Sequence, residues 1–405
     1  MSQAEKRAEK VEGTDIQREM TGLRNEIKKK IEEEGVRSGK WHYISIIEPG
    51  INTLVTAGKI SDFGNIPGWA HEAVINGDVT PPGLILETPD LYISGNANFS
   101  AGKVENLKGD GSATVNVMRM IGNIAVTGDL KVNKIDTNSN DEVLVMGTVL
   151  TGGDAEIGGY ASRSITTGGK LIVKGSVHGD IYSGEGVEVG GYVFANIKAR
   201  RVLVVESVKN NITALENVRV GGSVGGNITS GGSVEVSGFV EGDIHAEKTV
   251  LIGKFACGNV EARMVYVMGG INGNVTAGKV VDVTGDVGGD ITCGGRVAVK
   301  GKADGKVISQ NSSVEVGILH GSIKAAIYAK VGEITEDAKI DAPLVFVPKG
   351  TVINKANIKG EVHYIDRDKF RDFEPGNDPR VEGLTKPDGL VSGQFQIKSP
   401  VRERV

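Results

Sequence analysis

From Gly147 to Glu336 the apolar residues recur in a unit of about sixteen residues: Gly-Asx-Ile-x-small, then Val-x-Val, then a single Val, twelve times over. The aliphatic residue after each Gly-Asx pair marks the register: Val149, Ile165, Ile181, Ile197, Ile212, Ile228, Ile244, Val260, Val275, Ile291, Val307 and Ile323. Nine of the eleven steps are sixteen residues and two are fifteen. Both short steps lose their residue between the small position and the Val-x-Val run, in Lys198-Ala199-Arg200-Arg201-Val202 and Glu261-Ala262-Arg263-Met264-Val265. A point that tolerates deletion reads as a corner, and the runs beside it as walls.

Within one unit, residues 226–241, Ile228, Ser230, Val234, Val236 and Val240 alternate with Thr229, Glu235 and Glu241. That period of two belongs to short strands with one buried face. Sixteen residues are too few for a strand, a crossover helix and a second strand. They suit one winding of a parallel β-helix, in which each strand pairs with its equivalent one turn along. The small position holds Ser183, Ala199, Ala214, Ser230, Ala246, Ala262, Ala277, Cys293, Ser309 and Ala325, so something there excludes a long side chain. All eleven prolines lie at or before Pro89 or at or after Pro343, as expected where every winding needs its N–H for the next. Glycine makes up 59 of 405 residues, about twice the usual ~7%, and corners requiring positive φ are the expected reason.

The fold class read from these features is all-β: a single-stranded parallel β-helix of about 16 residues per winding and twelve or more windings, over residues 121–365. Residues 1–40 are charged, with Ile16, Met20, Leu23, Ile27 and Ile31 at helical spacing, and predict a short amphipathic helix. Residues 41–120 contain Trp41 and Trp69 but lack the register, and read as an irregular β cap or extra windings; Gly122-Asn123-Ile124 reads as an early winding followed by an inserted loop through Asp141. Past Glu336 the pattern decays to about Ile365, and residues 366–405, rich in charge and proline, are expected to form a mostly disordered tail.

Composition narrows the function. A net charge of −5 and a pI near 5.8 argue against a nucleic acid or an anionic membrane as main partner. The sequence has no signal-peptide-like start and no run of about 18 apolar residues, which predicts an intracellular protein or a virion component assembled inside a cell. Cys257 and Cys293 occupy unlike unit positions and read as a free and a buried thiol rather than a disulfide.

The chemistry-bearing residues do not converge. Asp180, Asn196, Asn211, Asn227, Asp243, Asn259, Asn274 and Asp290 fall at one unit position, and no two aspartates occupy adjacent windings. A calcium or catalytic site needs clustered carboxylates, so these residues are expected to make local turn hydrogen bonds at a corner. The histidines are scattered; His178 and His320 share a unit position nine windings apart. Gly-rich strings such as residues 221–226 lack the following Gly-Lys-Ser/Thr of a phosphate loop and read as corners. No catalytic, cofactor or metal residue is therefore assigned, and the protein is read as non-enzymatic. Leu251 and Tyr266, outward in adjacent windings, make a small apolar pair of the kind surfaces ordinarily carry.

The run VEVSGFVEGDIHAEKTVLIGKFACGNVEARMVYVMGGINGNVTAGKVVDVTGDVGGDI, residues 234–291, resembles the core of the bactofilin family of polymer-forming cytoskeletal proteins. The likeness lies in Gly-Asx-Ile followed by an alanine, the Val-x-Val strand and the Gly-x-Val return, over roughly residues 122–335. It implies a right-handed triangular β-helix whose ends stack into a non-polar, nucleotide-independent filament that scaffolds morphogenetic or cell-wall enzymes. The partners it implies are the chain itself and cell-envelope or morphogenesis proteins, and the location is cytoplasmic. This chain differs from the family pattern in its longer rod, its larger N-terminal region and its charged start, which leaves membrane attachment open. If the rod joins through its ends, Ile124, Ile340, Leu344 and Phe346 are the candidate self-association residues. The alternative is a phage tail fibre or adhesin-like module in which the rod is a rigid spacer and residues 41–120 bind a target.

Overall fold

The computed structural model describes residues 44–48, 51–57, 72–76, 85–93, 96–109, 111–134, 143–382 and 384. The expected N-terminal helix, Trp41, Trp69 and the end of the tail lie outside the described residues. The chain forms a parallel β-solenoid of about 15 turns. At about 4.8 Å per turn the rod is roughly 70 Å long.

Each winding contributes to three walls. On the first, Leu91, Leu107, Ile124 and Val149 stack in register, and the ladder continues through Ile165, Ile181 and Ile197 towards Ile323, Ile340 and Ile358. On the second, Leu130, Ala155, Leu171, Val187, Val202, Val218, Val234 and Val250 do the same. The third is narrower, a file of single bridges from Ala161 and Val177 through Val240 to Val287 and Ala303. In the unit over residues 226–241 the five inward side chains are at most 1% exposed. Stiff, β-branched Val and Ile suit a pleated wall whose neighbours are copies of itself.

The two fifteen-residue steps fall at the corner between the first and second walls, where the register slips between Ala262 and Met264. The early winding runs from Ile124 on the first wall to Leu130–Lys134 on the second and Val143–Val145 on the third, so the insertion sits between the second and third walls. Before it, Ile85–Ile93 and Ala97–Gly109 pair in parallel in the same ladders. At the N-terminal end Ile44–Glu48 lies antiparallel to Ile51–Ala57, a reversal of the direction used by the rod. Pro343 is accommodated at a register shift between Asp341 and Leu344.

Two expectations about the corners are corrected. First, the Asx residues do not make local turn bonds. Each side-chain oxygen accepts from the backbone N–H of its counterpart one winding on: Asn211 Oδ1 from Asn227 N at 2.8 Å, Asn227 Oδ1 from Asp243 N at 2.8 Å, and Asp243 Oδ1 from Asn259 N at 2.7 Å. The other corners use the same device, with Asn217 accepting from Ser233 N and Ser223 from Phe239 N. Only an acceptor oxygen is required, which is why Asp, Asn and Ser interchange. Second, among the described residues only Gly350 and Gly360 have positive φ. The repeat glycines serve close approach instead. A Cβ on Gly242 would sit 2.3 Å from Asn227 Oδ1 and 2.6 Å from the carbonyl carbon of Gly226. Gly-Asx is thus one device: the glycine leaves room for the Asx side chain of the winding below to reach the next N–H.

The small position has a related cause. Its side chain points at the backbone of the first corner, and where it carries a hydroxyl it donates there: Thr167 Oγ1 to Gly153 O at 2.6 Å and Ser230 Oγ to Glu216 O at 2.5 Å. Thr167 is fully buried. Thr167→Val keeps the shape but removes this bond, leaving Gly153 O with the Gly169 N–H alone, and should cost about 1 kcal/mol in a denaturant titration.

The tail expectation is also corrected in part. Residues 366–382, expected to be disordered, form short helical turns at Arg367–Phe370, Pro375–Asn377 and Pro379–Glu382. Phe370, Phe373 and Val381 sit among the charges and find an apolar surface on the rod.

Candidate self-association surfaces

At the C-terminal end the last described strand, Ile358–Ile365, pairs with Lys339–Pro348 on one side and, among the described residues, has no rod strand on the other. Its hydrogen-bonding groups form an open edge, a template for another strand. Ile358 stacks on Ile340, Val362 on Val345 and Tyr364 on Val347, so all three hold inward positions. In mid-rod such positions are sealed by the next winding. Here Ile358 and Val362 are only partly buried, and Tyr364 is 43% exposed.

The four residues picked from the sequence lie elsewhere. Ile124 is 1% exposed inside the rod, between Leu107 and Val149, and Ile340 is 1% exposed beneath Ile358. Leu344 and Phe346 point outward from the second wall, yet are 6% and 0% exposed because residues 366–382 cover them. None of the four presents a side chain to a neighbouring molecule in this arrangement. The missed signal was Ala356-Asn357-Ile358-Lys359-Gly360, which repeats the Asx-Ile-x-small order of the rod and announces one more winding.

The covering strap is held by mixed contacts. Phe346 packs at 5.2 Å from Phe373 and 5.9 Å from Tyr328, ring centre to ring centre, and the Arg380 guanidinium lies 5.7 Å from its ring. Lys330 Nζ donates to the carbonyls of Phe373, at 2.5 Å, and Arg371, and lies over the Phe370 ring. Burial pushes the Lys330 amine down. An Arg380 Nη1–H donates to His363 Nδ1 at 2.6 Å.

Tyr328, 8% exposed beneath the strap, is pushed up to about 12, first by burial and then by the Glu315 carboxylate, to which its hydroxyl donates at 3.0 Å. A folded-state value above the unfolded one means the native state holds its proton longer. The resulting stability is intact below about pH 10 and is lost as pH rises towards about 12. Tyr328→Phe should flatten that alkaline loss in melts run across the interval, and an unchanged slope would refute the assignment.

The remaining reactive side chains are dispersed. His245 Nδ1 lies 3.0 Å from Glu261 Oε2 and His320 Nδ1 lies 3.1 Å from Asp304 Oδ1, both pairs on the outside. His178 is flanked by the rings of Tyr160 and Phe194. Cys257 is exposed and Cys293 buried, both as free thiols, with burial raising the latter. Among the described residues no three His, Cys, Asp or Glu side chains gather to hold a metal ion, and no helix is long and apolar enough to cross a membrane. Such geometry offers surfaces and an open sheet edge rather than a cleft of converging reactive groups.

Residues 217–295 match the bactofilin family model. That family is described as polymer-forming cytoskeletal. The bactofilin match begins at the second-wall strand Val218–Val220 and ends just past the first-wall strand Ile291–Cys293. Windings on both sides of it continue the same ladders without a break, so the same winding geometry extends beyond the matched residues. No curated protein and no solved structure matches the chain.

Proposed function

We propose that this chain is a non-enzymatic cytoskeletal protein that self-assembles through the ends of its rod, without nucleotide, into a bactofilin-like filament or scaffold. The observation that carries the reading is the unsealed terminal winding, with Ile358, Val362 and Tyr364 at inward positions and, among the described residues, no strand above them. Stacking a second end there would continue both the apolar core and the backbone ladder, the two interactions that join every internal pair of windings. The family match supports it. The winding is taken as right-handed, the hand of nearly all crossovers between parallel strands. The reading places the protein in the cytoplasm, with cell-envelope or morphogenesis proteins as clients. The fibre or adhesin reading has less support, because strands from Ile85 onward pair into the rod's own ladders.

The test is electron microscopy and light scattering of the purified chain without nucleotide, beside Val362→Glu. Wild type should assemble, and the variant should stay dispersed while its circular dichroism and melting match wild type, since Val362 is already partly exposed. Dispersed wild-type particles at every salt concentration, or a variant that assembles as well as wild type, would overturn the proposal.

A further inference from the structure

The outside of the third wall carries an apolar cluster unrelated to the rod ends. Met146, Ser162, His178 and Phe194 each follow the inward residue of successive windings: Val145, Ala161, Val177 and Val193. Tyr160 and Tyr192 precede two of those residues. Their rings form one run, with Tyr160 to His178 at 4.8 Å, His178 to Phe194 at 4.3 Å and Tyr192 to Phe194 at 6.1 Å. Met146 is 43%, Tyr192 48% and Phe194 42% exposed, and Phe239, three windings on, is 42% exposed. Corner positions here elsewhere hold Ser207, Lys209, Ser223 and Gly225, so nothing in the winding itself demands rings.

We propose that this cluster is the docking site of the chain's own N-terminal segment, through the stripe Ile16, Met20, Leu23, Ile27 and Ile31. As a helix these five residues fall within about 80° of arc and span about 22 Å. The exposed run from Met146 to Phe194 covers three winding steps, roughly 14 Å, and about 29 Å if it extends to Phe239. A single apolar stripe laid along the rod axis therefore matches the cluster in length and width.

Reach agrees. The described chain begins at Ile44, beside the strand carrying Leu54. From Leu54 the first-wall ladder takes six steps to Ile165, the level of the cluster, or about 29 Å. Residues 32–43 can span up to about 40 Å.

Area favours this occupant over a second copy. Four aromatic or methionine side chains just under half exposed offer on the order of 400 Å², about half of what each partner of a stable dimer contributes. A tethered segment needs less, because its effective concentration is in the millimolar range. A sugar is disfavoured by geometry: rings crossed at 79° and 69° form a ridge, with no flat platform for a pyranose. A ridge fits between the side chains of a helix.

The experiment uses the full chain with Cys257→Ser, leaving the buried Cys293, and pairs Leu23→Cys with Lys209→Cys, one winding beyond Phe194 in the same file. A short bismaleimide should link the two within one chain, with a yield unchanged by about tenfold dilution. Adding Tyr192→Ser and Phe194→Ser, both at exposed positions, should cut the yield at least about fivefold, the loss of two ring contacts. Three results would overturn the proposal: links only between differently tagged chains, which would make a second copy the occupant; a yield no higher than for Leu23→Cys with Lys324→Cys, far along the rod; or a yield insensitive to the ring substitutions.

Discussion

Gly242→Ala should destabilise the rod by about 2–3 kcal/mol, while Gly186→Ala should leave it unchanged or more stable by up to about 1 kcal/mol. The two glycines look alike in the sequence, each belonging to a corner. At Gly242 the new methyl would meet Asn227 Oδ1 at 2.3 Å and the backbone of Gly226 and Asn227 at 2.6 and 2.7 Å. The side-chain oxygen can swing aside, but it then abandons the N–H of Asp243, and the backbone contact still forces the two windings apart. At Gly186 no atom lies within 4 Å of the new methyl and φ is not positive. Alanine there only reduces the freedom of the unfolded chain. Because each winding touches only its neighbours, the Gly242 defect should also divide one cooperative transition into two. Thermal melts followed by circular dichroism check both outcomes. Equal effects at the two positions would mean that glycine is needed for backbone freedom after all.

Removing residues 366–405 should expose Phe346, Leu344 and Tyr328 and loosen the last windings by about 3–5 kcal/mol, the scale of losing the cover of a buried aromatic cluster. Phe346 is fully buried only because Phe373, Arg380 and Val381 lie over it. Lys330 would lose two carbonyl acceptors at the same stroke. Hydrogen exchange should show faster exchange of amides in 339–365 and unchanged protection in 197–299, since loosening at one end is damped winding by winding. Uniform protection after truncation would show that the strap merely rests on the rod. Phe373→Ser is the milder version and should give the same pattern at smaller amplitude.

The periodic part of the molecule was legible because its long-range contacts repeat at constant separation. Ile228 meets Ile212 and Ile244 for the same reason that Val234 meets Val218 and Val250. The candidate site was less legible. Ile340 lies one winding short of the end, and the approach to Ile358 runs through the irregular residues 349–357, which carry Gly350 at positive φ and a short 3-10 turn at Lys355–Asn357 and so hide the last winding from the pattern. Around Leu344 and Phe346 nothing local in the sequence reveals that Phe373 and Val381 return to cover them.

The order of residues by itself determined the winding, the inward side chains, the small position and the corner that tolerates deletion. Each is set by contacts with a residue fifteen or sixteen places away, so a one-dimensional period carries the three-dimensional neighbour. Other features needed the folded chain: that Gly and Asx act together across windings, that the strap seals Phe346, and that Ile358, Val362 and Tyr364 stand at an open end. These depend on how closely stacked backbones approach at one atom, or on segments meeting at no fixed interval, and neither leaves a period to read.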